Sequence, residues 1–478
     1  MRQAVKRRDF LQLGIIGTAV GFGLPGIVAL ASEKRASKLI SPGCRRSKVK
    51  VARLFLGNPK GLWPKPNLDL EGEVNSYRQA MAQMEGTADV EFAVDQMVTS
   101  VEDVRAFQGK LKEADGVLAI HLNIGIMPIL QEVLAAGRPT MVFAIPYSGH
   151  EWSSFGALMK EPRGEMLDCM LTTDRGQLAA AIRPFRALHH LRAAKVINVT
   201  ARPTTQYHAD IRAKFGTEIK HVGLDRVMAA YEAVDDDAAR AEAERWNRNA
   251  LEVVEPAADD IFRAGKLALA MEKMLDDEDA TVLTVDCYGT MWDKTIKLPA
   301  YPCLGFSRLN GMGLGGICES DLRCAMTHII FQGLAGIPGF ISDPTVDEAT
   351  NSIILAHCMG TVNMEGADKP AAPYKLRTIL ERQEGVVPQV FMKTGIRATQ
   401  SLLVGTDQLL YFTGDIVDAP DVDRGCRTKI TVKIDGSAER LWKNWSAGLH
   451  RVTCYGDLTK DLERFCRFAK INLTNEAA

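Results

Sequence analysis

Three signatures are missing from this 478-residue chain. Its ten cysteines include no CxxC pair and no zinc-type spacing, so spacing alone identifies no redox or zinc motif. No Gly-x-Gly-x-x-Gly follows the first predicted strand. Gly57-Asn-Pro-Lys-Gly61 is a poor imitation, and this argues against dinucleotide binding. Charge of one sign is not in excess either: the formal net charge is −1, and nothing points to nucleic acid. What remains, 46% hydrophobic and 24% charged residues, is ordinary globular composition. The length suggests about three domains.

The N-terminus reads as a targeting segment. Lys6-Arg-Arg-Asp-Phe-Leu-Gln12 precedes an uncharged apolar stretch from Leu13 to Ala31, and Ala29-Leu-Ala31 has the small-x-small cleavage pattern. Paired arginines followed by Phe-Leu resemble a twin-arginine signal, so residues 1–31 are expected to be a signal peptide and the protein periplasmic. An uncleaved membrane anchor is the alternative, because the apolar length is close to a span. Residues 32–48 are polar and basic and read as a linker or exposed arm.

From Val49 onward, predicted strands alternate with predicted helices. Val49–Leu56, Val90–Val94, Gly116–Ile120 and Thr140–Ile145 are the strands of the first stretch. Such alternation predicts a parallel sheet covered on both faces. The expected fold is α/β: two doubly wound, flavodoxin-like α/β domains (residues 49–165 and 166–368), then a small C-terminal β-barrel domain (369–478). In the last domain short strands dominate, punctuated by Gly395, Gly405, Gly414 and Gly425.

Candidate chemistry concentrates between Thr281 and His357. Thr281–Val285 predicts a buried strand with Asp286 and Tyr288 at its C-terminal end. The glycine-rich run Gly311–Gly316 could pass for a phosphate loop. It runs into Glu319, whose charge would repel phosphate, so it predicts a backbone turn that brings the chain close to a site. Glu319 is expected to open a helix, because Leu322, Ala325, Met326, Ile329 and Ile330 recur at helical spacing. Asp343 falls in the polar knot Ser342-Asp-Pro-Thr345, which predicts a turn between two apolar runs. His357 lies in the second run. In the first domain, His121 and Tyr147 follow predicted strands and are candidates to line a pocket. Most cysteines read as small core residues.

Taken in order, Asp286-Cys287, Pro302-Cys-Leu304, Cys318-Glu-Ser-Asp321, Asp343, Ala356-His-Cys358, Gly425-Cys-Arg-Thr428, Gly448-x-His450 and Tyr455-Gly-Asp457 resemble the L-fucose isomerase/L-arabinose isomerase superfamily, most closely its fucose-isomerase-like branch. The resemblance implies a divalent cation, usually manganese, held by two carboxylates and histidine. Glu319 and Asp343 take the carboxylate positions and His450 that of the C-terminal histidine. His357 matches a histidine that is a ligand in the arabinose branch and a neighbour of the site elsewhere. Arg427, with His121, Tyr147, Asp286 and Tyr288, is a candidate for substrate contact. The resemblance also implies a homo-oligomer, trimer or hexamer, acting on a small-molecule sugar.

The expected activity is metal-dependent aldose–ketose isomerisation through an enediol, with Glu319 and Asp343 trading roles as acid and base. The alternatives are an exported carbohydrate-binding protein without catalysis, or another metal-assisted sugar epimerase or lyase.

Overall fold

The computed structural model describes residues 39–287 and 298–478. The expected signal peptide, the first part of the linker and Tyr288 lie outside the described residues. Among the described residues no helix is long and apolar enough to cross a membrane.

The first sheet contains β1 (Val49–Leu56), β2 (Val90–Val98), β3 (Gly116–His121), β4 (Thr140–Ala144) and β5 (Leu167–Leu171). All pairings are parallel and the order is β2-β1-β3-β4-β5, the order of a doubly wound sheet. Strands β3 and β4 are buried along their whole length, because helices cover both faces.

The second sheet is built from β6 (Lys195–Val199), β7 (Glu218–Val222), β9 (Val282–Val285) and β10 (Gly315–Ile317), in the order β10-β9-β6-β7 and again parallel. Strand β8 (Glu252–Val253) belongs to a small separate sheet with β13 (Tyr374–Ile379) and β14 (Glu384–Val390). The helices Gln177–Ala193 and Leu322–Ala335 cross at close quarters: a Cβ on Gly333 would stand 2.4 Å from Ala187 Cα.

The remaining strands close a barrel. β11 (Phe340–Asp347), β12 (Ser352–His357), β17 (Thr428–Ile434), β16 (Gln408–Asp418), β15 (Ile396–Val404) and β18 (Arg451–Tyr455) form a six-membered antiparallel ring, and β19 (Asn472–Asn475) adds to β16 in parallel. Closure leaves no open edge in the ring. Strands β11 and β12 precede residue 369, yet they pair in this ring.

Two local readings are corrected. The polar knot around Asp343 is not a turn: β11 runs straight through it, and Asp343 pairs opposite Ala356. The strand tolerates Pro344 because the β18 pairing ends at Ser342, so the proline faces a partner strand on the β12 side alone. The second half of the expected linker docks: Arg45 is buried, donates from Nε to Ala280 O (2.7 Å) and pairs with Asp276 (2.7 Å).

Candidate metal centre

The second sheet delivers the first carboxylate. Helix Cys303–Gly311 packs so tightly on β10 that a Cβ on Gly316 would lie 2.4 Å from Phe306 Cα. Asn310 brackets this glycine, accepting from its N–H (2.7 Å) and donating to its carbonyl (3.2 Å). The glycine run is therefore a close-packing device at the sheet rim, and it leads into Glu319.

Glu319 does not open the helix. It and Ser320 adopt left-handed backbone, with φ of 63° and 53°. Each such non-glycine residue costs on the order of 1 kcal/mol and persists only where neighbours impose it. Here the second sheet imposes it: Ser320 N donates to Val285 O (3.0 Å), and Ser320 Oγ donates to Asn198 Oδ1 (2.6 Å). The helix starts at Leu322, and Asp321 is its N-cap, accepting from Cys324 N (3.0 Å).

The barrel delivers the rest. Asp343 comes from β11, His357 from the end of β12, and His450 from the residue before β18. His450 is the hub. Its Nδ1 pairs with Asp321 Oδ2 (3.0 Å), while its Nε2 faces Asp343 Oδ1 (3.3 Å) and Glu319 Oε2 (3.9 Å). His357 Nε2 is 4.0 Å from Glu319 Oε1, and the two imidazoles stand edge to face at 5.6 Å. Both rings are buried, and His450 Nε2 and His357 Nδ1 have no hydrogen-bond partner.

Burial raises the Glu319 carboxyl, and the negative neighbours Asp343, Asp321 and Asp286 add to this against the pull of His450. Burial acts the same way on Asp343 but is outweighed by His450 and His357, so Asp343 is held low. Asp321 is likewise low, its burial outweighed by the His450 hydrogen bond and the backbone bond from Cys324. His450 is pushed up despite burial by the hydrogen bond to Asp321 and by the Asp343 carboxylate facing its Nε2. Burial, aided by the charge of His450, lowers His357 to about 4, so its ring is neutral near neutrality. Two carboxyls pushed in opposite directions at one site are the usual arrangement for an acid and a base.

The donor set suits a hard or borderline divalent cation. Asp343, His357 and His450 offer ligand atoms all within 4.8 Å of one another, as do Cys318, Glu319 and His357. Three carboxylates face one imidazolium, a formal excess of two negative charges, and the ion pairs that Glu319, Asp321 and Asp343 make among the described residues are all with histidine. A histidine with one nitrogen anchored on a carboxylate and the other free toward further carboxylates is the usual form of a metal-bound imidazole.

The other candidates divide. Asp286 is at the rim beside Glu319, where it interacts with Thr200 Oγ1 (3.1 Å) and Arg202 (2.8 Å). Arg427 is buried and directs its guanidinium to Thr378 O (2.8 Å), Asp423 (2.7 Å) and Glu255 (3.4 Å). His121 is buried in the first domain, bonded to Ser148 Oγ (2.9 Å) with Glu151 at 3.7 Å, and Tyr147 beside it is exposed. Among the described residues no hydrogen bond or ion pair joins His121, Tyr147 or Arg427 to the His450 cluster. Asp321 was not singled out from the sequence. A capping aspartate is its ordinary reading, and its histidine partner is 129 residues away.

No protein-family model matches the chain. Over 178 residues the chain is 30% identical to a sulfoquinovose isomerase from Clostridium sp. (strain MSTE9), covering 34% of this chain and 37% of that protein. The match thus spans little more than a third of that relative's length. The likeness is to a sugar isomerase, which fits the superfamily that the motifs resemble.

Proposed function

We propose that the protein is a divalent-metal-dependent sugar isomerase that interconverts an aldose and a ketose through an enediol. The observation that carries this reading is the meeting of Glu319, Asp343 and His450 from separate parts of the chain, with both carboxylates facing the buried His450 Nε2, which has no hydrogen-bond partner. The likeness to a sugar isomerase points to the same chemistry.

Glu319, Asp343 and His450 would hold the ion, with His357 beside them, and manganese suits these oxygen and nitrogen donors. When bound, such an ion supplies polarisation of the carbonyl and hydroxyl oxygens of the sugar. Asp343, kept ionised, is the base that takes the proton from the carbon next to the carbonyl. Glu319 returns a proton to the neighbouring carbon while the hydroxyl proton passes from one sugar oxygen to the other, and the two carboxyls exchange roles in the reverse direction. Asp321 holds the His450 ring so that Nε2 faces the carboxylates.

The same proposal includes a homo-oligomer, trimer or hexamer. Leu62 and Trp63 after β1, Tyr147 after β4 and Trp152 at the start of the helix Trp152–Leu158 are large exposed apolar residues, and Gly149 packs against Trp63. Export to the periplasm by a twin-arginine signal completes the reading.

The test is solvent-deuterium incorporation at C1 and C2, followed by NMR on a panel that includes L-fucose, L-arabinose and sulfoquinovose. Exchange that disappears on chelation and returns with manganese is the expected result. Exchange that persists without metal rejects metal dependence, and no exchange by metal-loaded protein with any sugar rejects the isomerase reading.

A further inference from the structure

A second set of ligand atoms converges beside the first, and it has different chemistry. Cys358 follows β12, Cys426 lies in the loop before β17, and Glu381 sits in the turn between β13 and β14. Their two sulfurs and a carboxylate oxygen all lie within 4.8 Å of one another. Cys426 Sγ is 3.6 Å from Glu381 Oε1 and 4.0 Å from Asp343 Oδ2.

A tetrahedral ion with metal–sulfur bonds of about 2.3 Å and metal–oxygen bonds of about 2.1 Å sets sulfur–oxygen edges of roughly 3.5 Å. The Cys426–Glu381 separation matches such an edge, and the Cys426–Asp343 separation is within a small side-chain movement of it. By contrast, Cys287 Sγ and Cys318 Sγ are only 3.1 Å apart. Two sulfurs sharing one tetrahedral ion stand about 3.8 Å apart, so that pair is the poorer fit.

We propose that Cys358, Cys426 and Glu381 form a thiolate site for a borderline-soft divalent cation of the zinc type, with Asp343 Oδ2 in reach as the fourth ligand. Sulfur donors select such an ion over manganese. Binding breaks two S–H bonds, forms two metal–sulfur bonds and releases two protons to solvent, with no change of oxidation state. Asp343 presents its other oxygen, Oδ1, to His450, so this one carboxylate stands between two clusters of unlike chemistry. The inference rests on this donor set and holds whether or not the protein isomerises a sugar.

The experiment is a titration of the full-length, chelator-stripped, fully reduced protein with cobalt(II), which takes zinc geometry and reports thiolate ligation by sulfur-to-cobalt charge-transfer absorption. Saturation of that absorption at one equivalent, and its displacement by zinc, is expected. It should vanish in Cys426→Ser and in Cys358→Ser and persist in Cys466→Ser. In Glu381→Gln zinc should bind about 10–100-fold more weakly, as when a supporting ligand is lost. Cys426 is partly buried in a loop outside the strands, so its variant retains the fold even if Cys358→Ser, directly after β12, does not. Absence of charge-transfer absorption in the reduced protein overturns the proposal. So does absorption that survives in Cys426→Ser, because it then belongs to the Cys287–Cys318 pair.

Discussion

Buried histidine–aspartate pairs occur in two regions of this molecule, and they differ in what surrounds them. In helix Gln177–Ala193, His189 Nδ1 meets Asp115 (2.9 Å), its Nε2 meets Ser47 (2.9 Å to the carbonyl oxygen), and Arg192 also pairs with Asp115. Its neighbour His190 shares Asp89 with the buried Arg186. Every carboxylate there has a guanidinium. At the barrel end, His450 has an aspartate on one nitrogen and two more carboxylates facing the other, with no lysine or arginine paired to any of the three among the described residues. A buried His–Asp pair whose charge is already balanced is architecture. One with surplus negative charge facing its second nitrogen is a place for a cation.

The largest break in this comparison is expected at the carboxylates that have no guanidinium. Glu319→Gln and Asp343→Asn should each lower sugar deuterium exchange by about 10²–10⁴-fold, the usual worth of an acid or base. Either variant with full turnover removes that residue from the chemistry. Arg186→Gln should do the converse. It leaves Asp89 buried beside His190 without its guanidinium and should cost about 3–5 kcal/mol in urea unfolding, with metal content by mass spectrometry unchanged.

Asp321→Asn sharpens the contrast, because asparagine still caps the helix but accepts less well from His450. Metal affinity should fall about 10–100-fold at near-constant stability. A large loss of stability with intact metal affinity would place Asp321 with the architectural pairs instead.

Smaller effects follow from His328, fully buried in helix Leu322–Ala335, where it accepts from Gly339 N. Burial lowers it from 6.5 to about 4. Below pH 6.5 the unfolded chain takes up a proton that the native state refuses, so stability should decline as pH falls from 6.5 to about 4. The slope is at most about 1.4 kcal/mol per pH unit for this group. Urea titrations of His328→Gln should show a shallower slope in that window, and an unchanged slope assigns the decline elsewhere. Smallest of all is Arg192→Gln: this side chain is half-exposed, and its loss should cost no more than about 1 kcal/mol.

Much of the parallel architecture was legible because it is written in short-range patterns. Alternating apolar runs and helical spacing located β1 to β4, β9 and the helix after Glu319, but not β5 at Leu167–Leu171. The barrel strands were visible as short runs between glycines, but their partners were not. The reading of Asp343 failed because Asp-Pro is a turn signal locally, whereas here two neighbouring strands hold the segment extended. The reading of Glu319 failed because apolar periodicity reports that a helix exists and says little about the residues just before it. Its left-handed turn is enforced by Val285 and Asn198, neither of them adjacent in sequence.

By itself, the sequence determined the alternation of strand and helix, the absence of nucleotide-loop and zinc-finger spacing, and the residue types able to hold a hard cation. These properties depend on neighbours within a few turns of chain. Tertiary structure decided which oxygen and nitrogen atoms meet: that Asp321 orients His450, that Arg427 spends its charge on Asp423 and Glu255, and that Cys358 and Cys426 come together next to Asp343. The physical reason is that barrel closure brings together residues separated by tens to more than a hundred positions. Such pairings leave no periodicity in the chain that makes them.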